Sequence, residues 1–316
     1  MVCNISANHT MQWALIGMSI PVFLLGLIFN AMTLWAFCWK IRKWTETIIY
    51  VTNLAVSDSV LLLSLPFKMY SYKPPRKLDS GLCALGELLY FVNMYVSIYI
   101  TVCISMDRYV AVKHPLKAKR LRSPMKAAIA CVAIWTFVCL IGIILQIKFT
   151  VENEKTEFCF LKKNEKPTSI WIIIAIELIG FIIPSCILSF CSFQIIMTLC
   201  KKSKGSQGNL AFSRSIIIVA SNLIIFFICF MPFHVGLLIQ FLLETLWNNC
   251  EMLKNVRNFI SVSTCMASMN CCLDAIIYYF ASSEVAQVFN FLRQLSFTQI
   301  TGISNFADFK QKVIGP

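Results

Sequence analysis

Seven stretches of this chain are long enough and apolar enough to cross a lipid bilayer, and no other feature restricts the fold so strongly. A helix needs about 20 mostly apolar residues to span the hydrocarbon core. Each stretch contains at most one Asp, Glu, Lys, Arg or His, and the mean hydropathy of the chain is +0.72. Because lone strands cannot satisfy their backbone in lipid, we expect an all-α, seven-transmembrane helix bundle. The predicted spans, numbered one to seven, are residues 13–39, 48–67, 88–106, 127–147, 169–200, 215–243 and 258–283.

Lysine and arginine are distributed unevenly between the two ends of the spans, which predicts their orientation. With the N-terminus outside, the inner segments hold 17 basic residues and the outer segments 10. We therefore expect a multi-pass plasma-membrane protein whose extracellular leader, residues 1–12, carries glycosylation acceptor triplets at Asn4 and Asn8. The net charge of +13 then belongs mostly to an inner surface facing anionic membrane lipids and an internal partner, and nucleic acid is not expected as a partner.

Fifteen cysteines suggest a disulfide framework until they are placed on the spans. Most lie in or beside the spans, where cysteine behaves as a small apolar residue. Four are predicted to face outside: Cys3, Cys83, Cys159 and Cys250. A bridge from Cys83 to Cys159 would tether the second outer loop across the mouth of the bundle, and Cys3 with Cys250 would join the leader to the third outer loop. Four cysteines allow three pairings, so the sequence leaves the choice open.

The segment after span seven has its apolar residues at helical spacing. This pattern predicts a short amphipathic eighth helix, about residues 283–295, on the inner membrane face; the alternative is a disordered tail. Residues 1–296 would then form the receptor-like bundle domain, and residues 297–316 an unstructured cytoplasmic tail. The apolar residues of the pattern are Val285, Val288, Phe289, Leu292 and Leu295.

Titratable side chains inside the spans are the strongest functional signal. Asp58 and Asp274 lie mid-span, where a charge costs about 2.5–3.5 kcal/mol on insertion scales, so a functional role is the default hypothesis. Lys68 is the only lysine or arginine deep in a span, and it lies about 15 Å outward from Asp58 along the helix. Its ammonium suits a carboxylate or phosphate head group, and the alternative is a structural ion pair with Glu87.

The order of short motifs along the spans resembles the rhodopsin-like (class A) G-protein-coupled receptors over essentially the whole chain. Within that family, "WTETIIYVTNLAVSD", "DRYVAVKHPL", "NCCLDAIIYY", "LSLPFKMY" and "CISMDR" are similar to a branch of receptors for lysophosphatidylinositol, lysophosphatidate and kynurenate. Phe230 stands where the family usually has Trp, and Asp274 and Ala275 replace the usual Asn and Pro. The motif residues are Gly26 with Asn30, Leu54 to Asp58, Asp107-Arg108-Tyr109, Trp135, Pro184, Cys229 to Pro232, and Asp274 to Tyr278.

The resemblance implies a switch at the inner end of span three. At rest Asp107 would hold Arg108, which on activation would turn toward a cleft where a heterotrimeric G protein docks. A guanidinium stays charged and needs acceptors in either position, whereas an ordinary interfacial ion pair would contribute only about 0–1 kcal/mol. Some members of the family have an acid at the base of span six as a second clamp on this arginine. Here no acid lies near Phe212 at that position, which predicts measurable basal signalling. The implied switch also includes Tyr109 and Tyr278, and the implied relay is Ile98, Pro184, Phe226, Phe230 and Pro232.

The resemblance further implies partners and an ion site. Coupling through the G12/13 class to Rho, with the inhibitory class second, is expected, together with arrestin and receptor kinases. No cofactor is expected apart from an allosteric sodium ion, since oxygen ligands suit a hard cation; the alternative is a water-filled polar network. The residues that map onto the family's sodium site are Asp58, Asn93, Ser97, Asn270 and Asp274.

The outer halves of the spans should form the ligand cavity. Tyr90 falls where amine receptors carry an acid, so a biogenic amine is not expected. Met94 and Leu145 stand at the positions of the acid-recognising arginines in the kynurenate receptor, which favours a lysophospholipid over a kynurenate-like aromatic acid. The candidate ligand-binding residues are Lys68, Glu87, Tyr90, Phe91, Met94, Glu177, Phe233, His234 and Leu237.

Two other classes of protein fit the sequence less well. An enzyme is not expected, because His9, His114 and His234 fall in three different compartments and no catalytic triad or metal motif can be assembled. A transporter or channel, the alternative function, would usually carry an internal repeat or polar residues through the whole bilayer. We detect no such repeat, and the acids of this chain cluster with amides and hydroxyls in one plane.

Overall fold

The computed structural model describes residues 9–40, 44–71, 80–152, 169–204, 210–246 and 249–281. Side chains are described at these positions except 9, 39–40, 80, 149–152, 204, 210–214 and 278–281. The predicted glycosylation sites, the cysteines Cys3 and Cys159, the eighth helix and the tail all lie outside the described residues and stay predictions.

Every secondary-structure element in the described part of the chain is helical, and seven helices are long and apolar enough to cross a membrane. The predicted all-α seven-helix bundle is therefore confirmed. Five spans are single helices: Glu46–Ser71 (span two), Ser80–Lys113 (three), Pro124–Glu152 (four), Leu210–Leu246 (six) and Cys250–Ala281 (seven). Span one consists of the helix His9–Trp35 and the π-helical turn Ala36–Lys40, and span five of Ile170–Glu177, the π-helical turn Leu178–Ile182 and Ile183–Lys204. A short helix, Pro115–Leu121, lies between spans three and four.

Span three is the central helix of the bundle. It packs against spans two, four and five, while span one closes the ring by packing on both span two and span seven. In its most apolar window 72% of the residues of span three are buried, against 17% in span four. Side chains on span three therefore face other helices, and most of span four faces lipid.

A π-helical turn, Leu178–Ile182, interrupts span five just before Pro184. Proline lacks the N–H of the helical ladder and its ring clashes with the preceding turn, so a widened turn before it relieves the clash. The turn brings Gly180 against span three, where a Cβ on Gly180 would lie 2.5 Å from Cε1 of Tyr95. Only glycine permits this close approach of the two helices.

Candidate functional site

Lys68 lies in the last turn of span two and is only 3% exposed. Its Nζ donates to the Oγ1 of Thr264 on span seven over 3.3 Å and lies 4.3 Å from the centre of the Tyr90 ring. The Tyr90 hydroxyl in turn donates to the backbone carbonyl of Thr264 over 2.7 Å. An aromatic face attracts an ammonium ion, so Tyr90 and Thr264 hold this cation where spans two, three and seven meet.

Glu87 on span three has different neighbours from Lys68. Its Oε2 accepts a hydrogen bond from Nε2 of Gln146 on span four over 3.3 Å, and its Oε1 lies 3.9 Å from the Sγ of Cys83. The acid therefore faces span four, whereas the described contacts of the Lys68 ammonium lie on spans three and seven.

Glu177 and His234 form a buried pair between spans five and six. Their side chains are 5% and 1% exposed, and Nδ1 of His234 lies 3.3 Å from Oε1 of Glu177. Within the part of the chain that the structure describes, Nε2 of His234 is buried without a hydrogen-bond partner. A buried polar atom without a partner is costly, so this nitrogen is a candidate contact for a polar group of a ligand.

Aromatic rings connect this pair to the predicted relay. Phe181 stacks on the His234 ring with centroids 4.3 Å apart, and the Phe226 ring lies parallel to Phe181 with centroids 6.0 Å apart. Phe226 then meets Phe230 at 5.3 Å. Offset and edge contacts of this kind are the favoured geometries of aromatic pairs. Phe226, Phe230 and Ile98 are packed in one buried cluster, so the structure brings these three relay residues together.

The remaining predicted ligand residues lie around these rings. Met94 is buried, Phe91 and Leu237 are half-buried, and the half-buried Phe233 meets His234 edge-on at 5.4 Å. Phe91 packs on Tyr95 at 4.6 Å, and both rings line an apolar cavity of about 200 Å³ between spans three, four and five.

The five predicted sodium-site residues are all buried, and four of them form two hydrogen-bonded pairs. Nδ2 of Asn93 donates to Oγ of Ser57 over 3.0 Å and to Oδ1 of Asp58 over 3.3 Å. On span seven, Nδ2 of Asn270 donates to Oδ2 of Asp274 over 2.7 Å. Among the described residues, the second oxygen of Asp58 and the Oγ of Ser97 are buried without a hydrogen-bond partner. Unsatisfied buried oxygens fit a hard cation or a water molecule.

Near the C-terminal end of span three, the contacts of Asp107 differ from the expected resting pair with Arg108. Nε and Nη2 of Arg122 donate to the two carboxylate oxygens of Asp107 over 2.6 and 2.8 Å. Within the described part of the chain, neither a hydrogen bond nor an ion pair joins Arg108 to Asp107. Asp107 and Arg108 are consecutive on one helix, so their side chains point in different directions. Arg122 approaches Asp107 from the loop, and its guanidinium can form two parallel hydrogen bonds to the carboxylate. The hydrogen bonds from Arg122 to Asp107 raise the pKa of Arg122 above its ordinary value.

Tyr109 packs against residues of span five and of the loop after span three. Its ring meets Phe190 of span five at 5.9 Å and His114 at 5.7 Å. The side chain of Tyr278 lies outside the described residues, so its predicted contact with Arg108 stays a prediction.

Cys83 and Cys250 are both disulfide-bonded. Their predicted partners lie outside the described residues, so the pairing stays a prediction. The eleven other cysteines in the described part of the chain are free, as expected for residues in or beside the spans.

Sequence reasoning missed four residues of these sites: Thr264, Tyr95, Phe181 and Arg122. Tyr95 lies four residues after Phe91 on the same face of span three, and that spacing was a usable signal. Nothing in the local sequence distinguishes Arg122 from the other basic residues of its loop.

Comparison with known proteins identifies the family. The description "7 transmembrane receptor (rhodopsin family)" matches residues 29–278. G-protein coupled receptor 35 of Mus musculus is 38% identical over 286 residues, which cover 88% of this chain and 90% of that receptor. Lysophosphatidic acid receptor 6 of Gallus gallus is 35% identical, covering 90% and 96%. G-protein coupled receptor 55 of Mus musculus is 35% identical, covering 88% and 87%.

These relatives are receptors of similar length, aligned over nearly the whole chain, and none is an enzyme. Together with the seven membrane-spanning helices and the rhodopsin-family match, they show that this chain is a multi-pass membrane receptor belonging to the rhodopsin family of G-protein-coupled receptors.

Proposed function

We propose that this receptor lies in the plasma membrane with its N-terminus outside and responds to an extracellular lysophospholipid. The observation that carries the proposal is the buried Lys68 ammonium, held by Tyr90 and Thr264 at the outer end of the bundle. Ionisable groups inside a membrane protein are costly and are kept where they bind or relay something charged. A phosphate on a lysophospholipid head group is an anion that such an ammonium can bind.

The polar contacts of the ligand would divide between two regions. Lys68 would neutralise the phosphate, while the free Nε2 of His234 would contact a hydroxyl or ester oxygen deeper between spans five and six. The acyl chain would lie against apolar side chains, among them Met94, Phe91 and Phe233. This division matches an amphiphilic ligand better than a small acid, because most of the remaining candidate contacts are apolar.

The names of the relatives support the same ligand class. One of them is called lysophosphatidic acid receptor 6, and it covers nearly the whole chain. On the inner side we propose the G12/13 class as the main transducer, with the inhibitory class second, and arrestin and receptor kinases as regulators. A sodium ion between Asp58, Ser97 and the Asn270–Asp274 pair would stabilise the resting state.

Reconstitution tests the ligand and the transducer together. The purified receptor in nanodiscs is mixed with G13 or an inhibitory heterotrimer, and nucleotide exchange is measured with lysophosphatidylinositol, lysophosphatidate or kynurenate. We expect a lysophospholipid to accelerate exchange on G13. A response to kynurenate alone would instead assign the receptor to small aromatic acids.

The control separates receptor signalling from a general effect of lipid on the G protein. Arg108→Ala removes the guanidinium that would meet the G protein, so the ligand should no longer accelerate exchange. Full acceleration by this variant, or uptake of labelled lysolipid into sealed vesicles without exchange, would refute the proposed function and favour the transporter alternative.

A further inference from the structure

Both carboxylate oxygens of Asp107 accept hydrogen bonds from residues outside its own helix. Arg122 contacts both carboxylate oxygens, and Oγ1 of Thr47 on span two adds a third hydrogen bond to Oδ2 over 3.3 Å. The carboxylate is only 9% exposed, so solvent weakens these charge-assisted bonds little. A second guanidinium cannot form the same two-bond contact while Arg122 occupies it.

The loop that carries Arg122 is built to hold it there. Arg122 caps the short inner helix Pro115–Leu121, and its backbone N–H donates to the carbonyl of Ala118 over 2.9 Å. Its backbone is extended, with φ −85° and ψ 134°, and Pro124 begins span four two residues later. The Arg122 side chain therefore starts between the short helix and span four and reaches the inner ends of spans two and three.

A second acid shares the same cation. Oε2 of Glu46, at the start of span two, lies 3.4 Å from Nη2 of Arg122. Arg122 is thus placed between two carboxylates, and its removal would leave Asp107 and Glu46 close together without a compensating charge. The half-buried Arg108 is the cation next to Asp107 in the chain.

We infer that Arg122 is a positioning residue that competes with Arg108 for Asp107, and so keeps Arg108 available to the G protein. This inference rests on the proposed role of Arg108 as the G-protein contact. A single carboxylate serves two cations in turn: paired with Arg122 it releases Arg108, and without Arg122 it holds Arg108 in the resting position. The competition shifts the resting equilibrium of the receptor toward the signalling form before any ligand binds.

The test measures the affinity of nucleotide-free G13 heterotrimer for the ligand-free receptor in nanodiscs. Arg122→Gln should weaken this affinity at least about fivefold, the lower end of typical coupling between sites. Arg122→Lys keeps the charge but loses the planar fork, so its affinity should fall between those of Arg122→Gln and the unmodified receptor. Lys126→Gln is the matched control and should leave the affinity unchanged. Lys126 lies beside the same loop, and among the described residues its Nζ donates to the backbone carbonyls of Arg120 and Leu121 and not to Asp107 or Glu46.

A double-mutant cycle distinguishes competition from a direct contact of Arg122 with the G protein. In an Asp107→Asn background the carboxylate for which Arg122 and Arg108 compete is gone, so Arg122→Gln should have no further effect. An equal loss in both backgrounds, or an Arg122→Gln variant that binds as well as the unmodified receptor, would overturn the inference.

Arg108→Ala separates this inference from the proposed function. If Arg108→Ala abolishes G13 binding while Arg122→Gln leaves it unchanged, the coupling stands and only the competition is wrong. If the unmodified receptor does not bind G13, or Arg108→Ala binds normally, the proposed coupling fails and the inference fails with it.

Discussion

The side-chain amide of Asn30 in span one donates a hydrogen bond to the backbone carbonyl of Cys271 in span seven, over 2.9 Å. Asn30 is 1% exposed and also donates to the carbonyl of Gly26 one turn earlier. Spans one and seven are the first and last of the chain, so this bond helps to close the ring of helices. Gly26 and Asn30, grouped by sequence resemblance alone, are thus joined in the structure.

Asn30→Leu should destabilise the receptor by about 0.6–1.7 kcal/mol, the range found for hydrogen bonds between membrane helices. The thermal midpoint in detergent measures the loss. Thr33→Val is the matched control, since Thr33 is similarly buried but donates to Phe29 of its own helix. Equal thermal midpoints for the two variants would contradict a special role for the link to span seven.

Lys68→Met should weaken the potency of an activating lysophospholipid at least about tenfold, because a hydrogen bond to a charged group contributes about 1.5–3 kcal/mol. Lys68→Arg, which keeps the charge, should lose less. Concentration–response curves for nucleotide exchange, corrected for surface expression, give the comparison. Lys148→Met removes an exposed lysine at the outer end of span four and serves as the control. Unchanged potency in Lys68→Met would refute the head-group assignment.

Gly180→Ala should destabilise the receptor by about 1–3 kcal/mol through overpacking. The new Cβ would lie 2.5 Å from Cε1 of Tyr95, and that ring is held between Phe91 and His234. Gly17→Ala is the control, because nothing lies within 4 Å of its Cβ and alanine favours a helix. Thermal unfolding should rank Gly17→Ala at or above the unmodified receptor and Gly180→Ala below it; the reverse order would show that Tyr95 moves without cost.

Glu177→Gln and His234→Ala should each lower the stability of the receptor. The double variant should lose less stability than the sum of the two single losses. Both side chains are buried and 3.3 Å apart, and contacting buried partners usually show a coupling energy of about 0.5–3 kcal/mol. The thermal midpoints of the two single variants and the double variant measure that coupling. Strict additivity would mean that Glu177 and His234 act independently.

Sodium chloride should raise the thermal midpoint of the ligand-free receptor relative to N-methylglucamine chloride at equal ionic strength. The unpartnered oxygens of Asp58 and Ser97 are the physical reason, since a bound cation would satisfy both. Asp58→Asn should abolish the difference between the two salts. A salt difference that survives in Asp58→Asn would place the sodium effect elsewhere.

The sequence by itself determined the number of spans and the residues that could carry charge inside them. Apolar length sets where a helix crosses the bilayer, so the seven spans followed from composition along the chain. Helix ends were less predictable, because hydropathy marks the hydrocarbon zone and not the end of hydrogen bonding: span three begins at Ser80, eight residues before its uncharged stretch. Lys68, Asp58 and Asp274 are all buried in the structure, and their functional roles stay predictions.

Only the tertiary structure decided which charged and polar groups meet. Local sequence placed Asp107 beside Arg108, yet the fork of Arg122, 15 residues away, reaches both oxygens of Asp107. The tertiary structure also places Tyr90 and Thr264, which lie on two other spans, next to Lys68. Hydrogen bonds and ion pairs depend on ångström-scale distances between helices, and those distances are set by how the spans pack, through close approaches such as that of Gly180 to Tyr95.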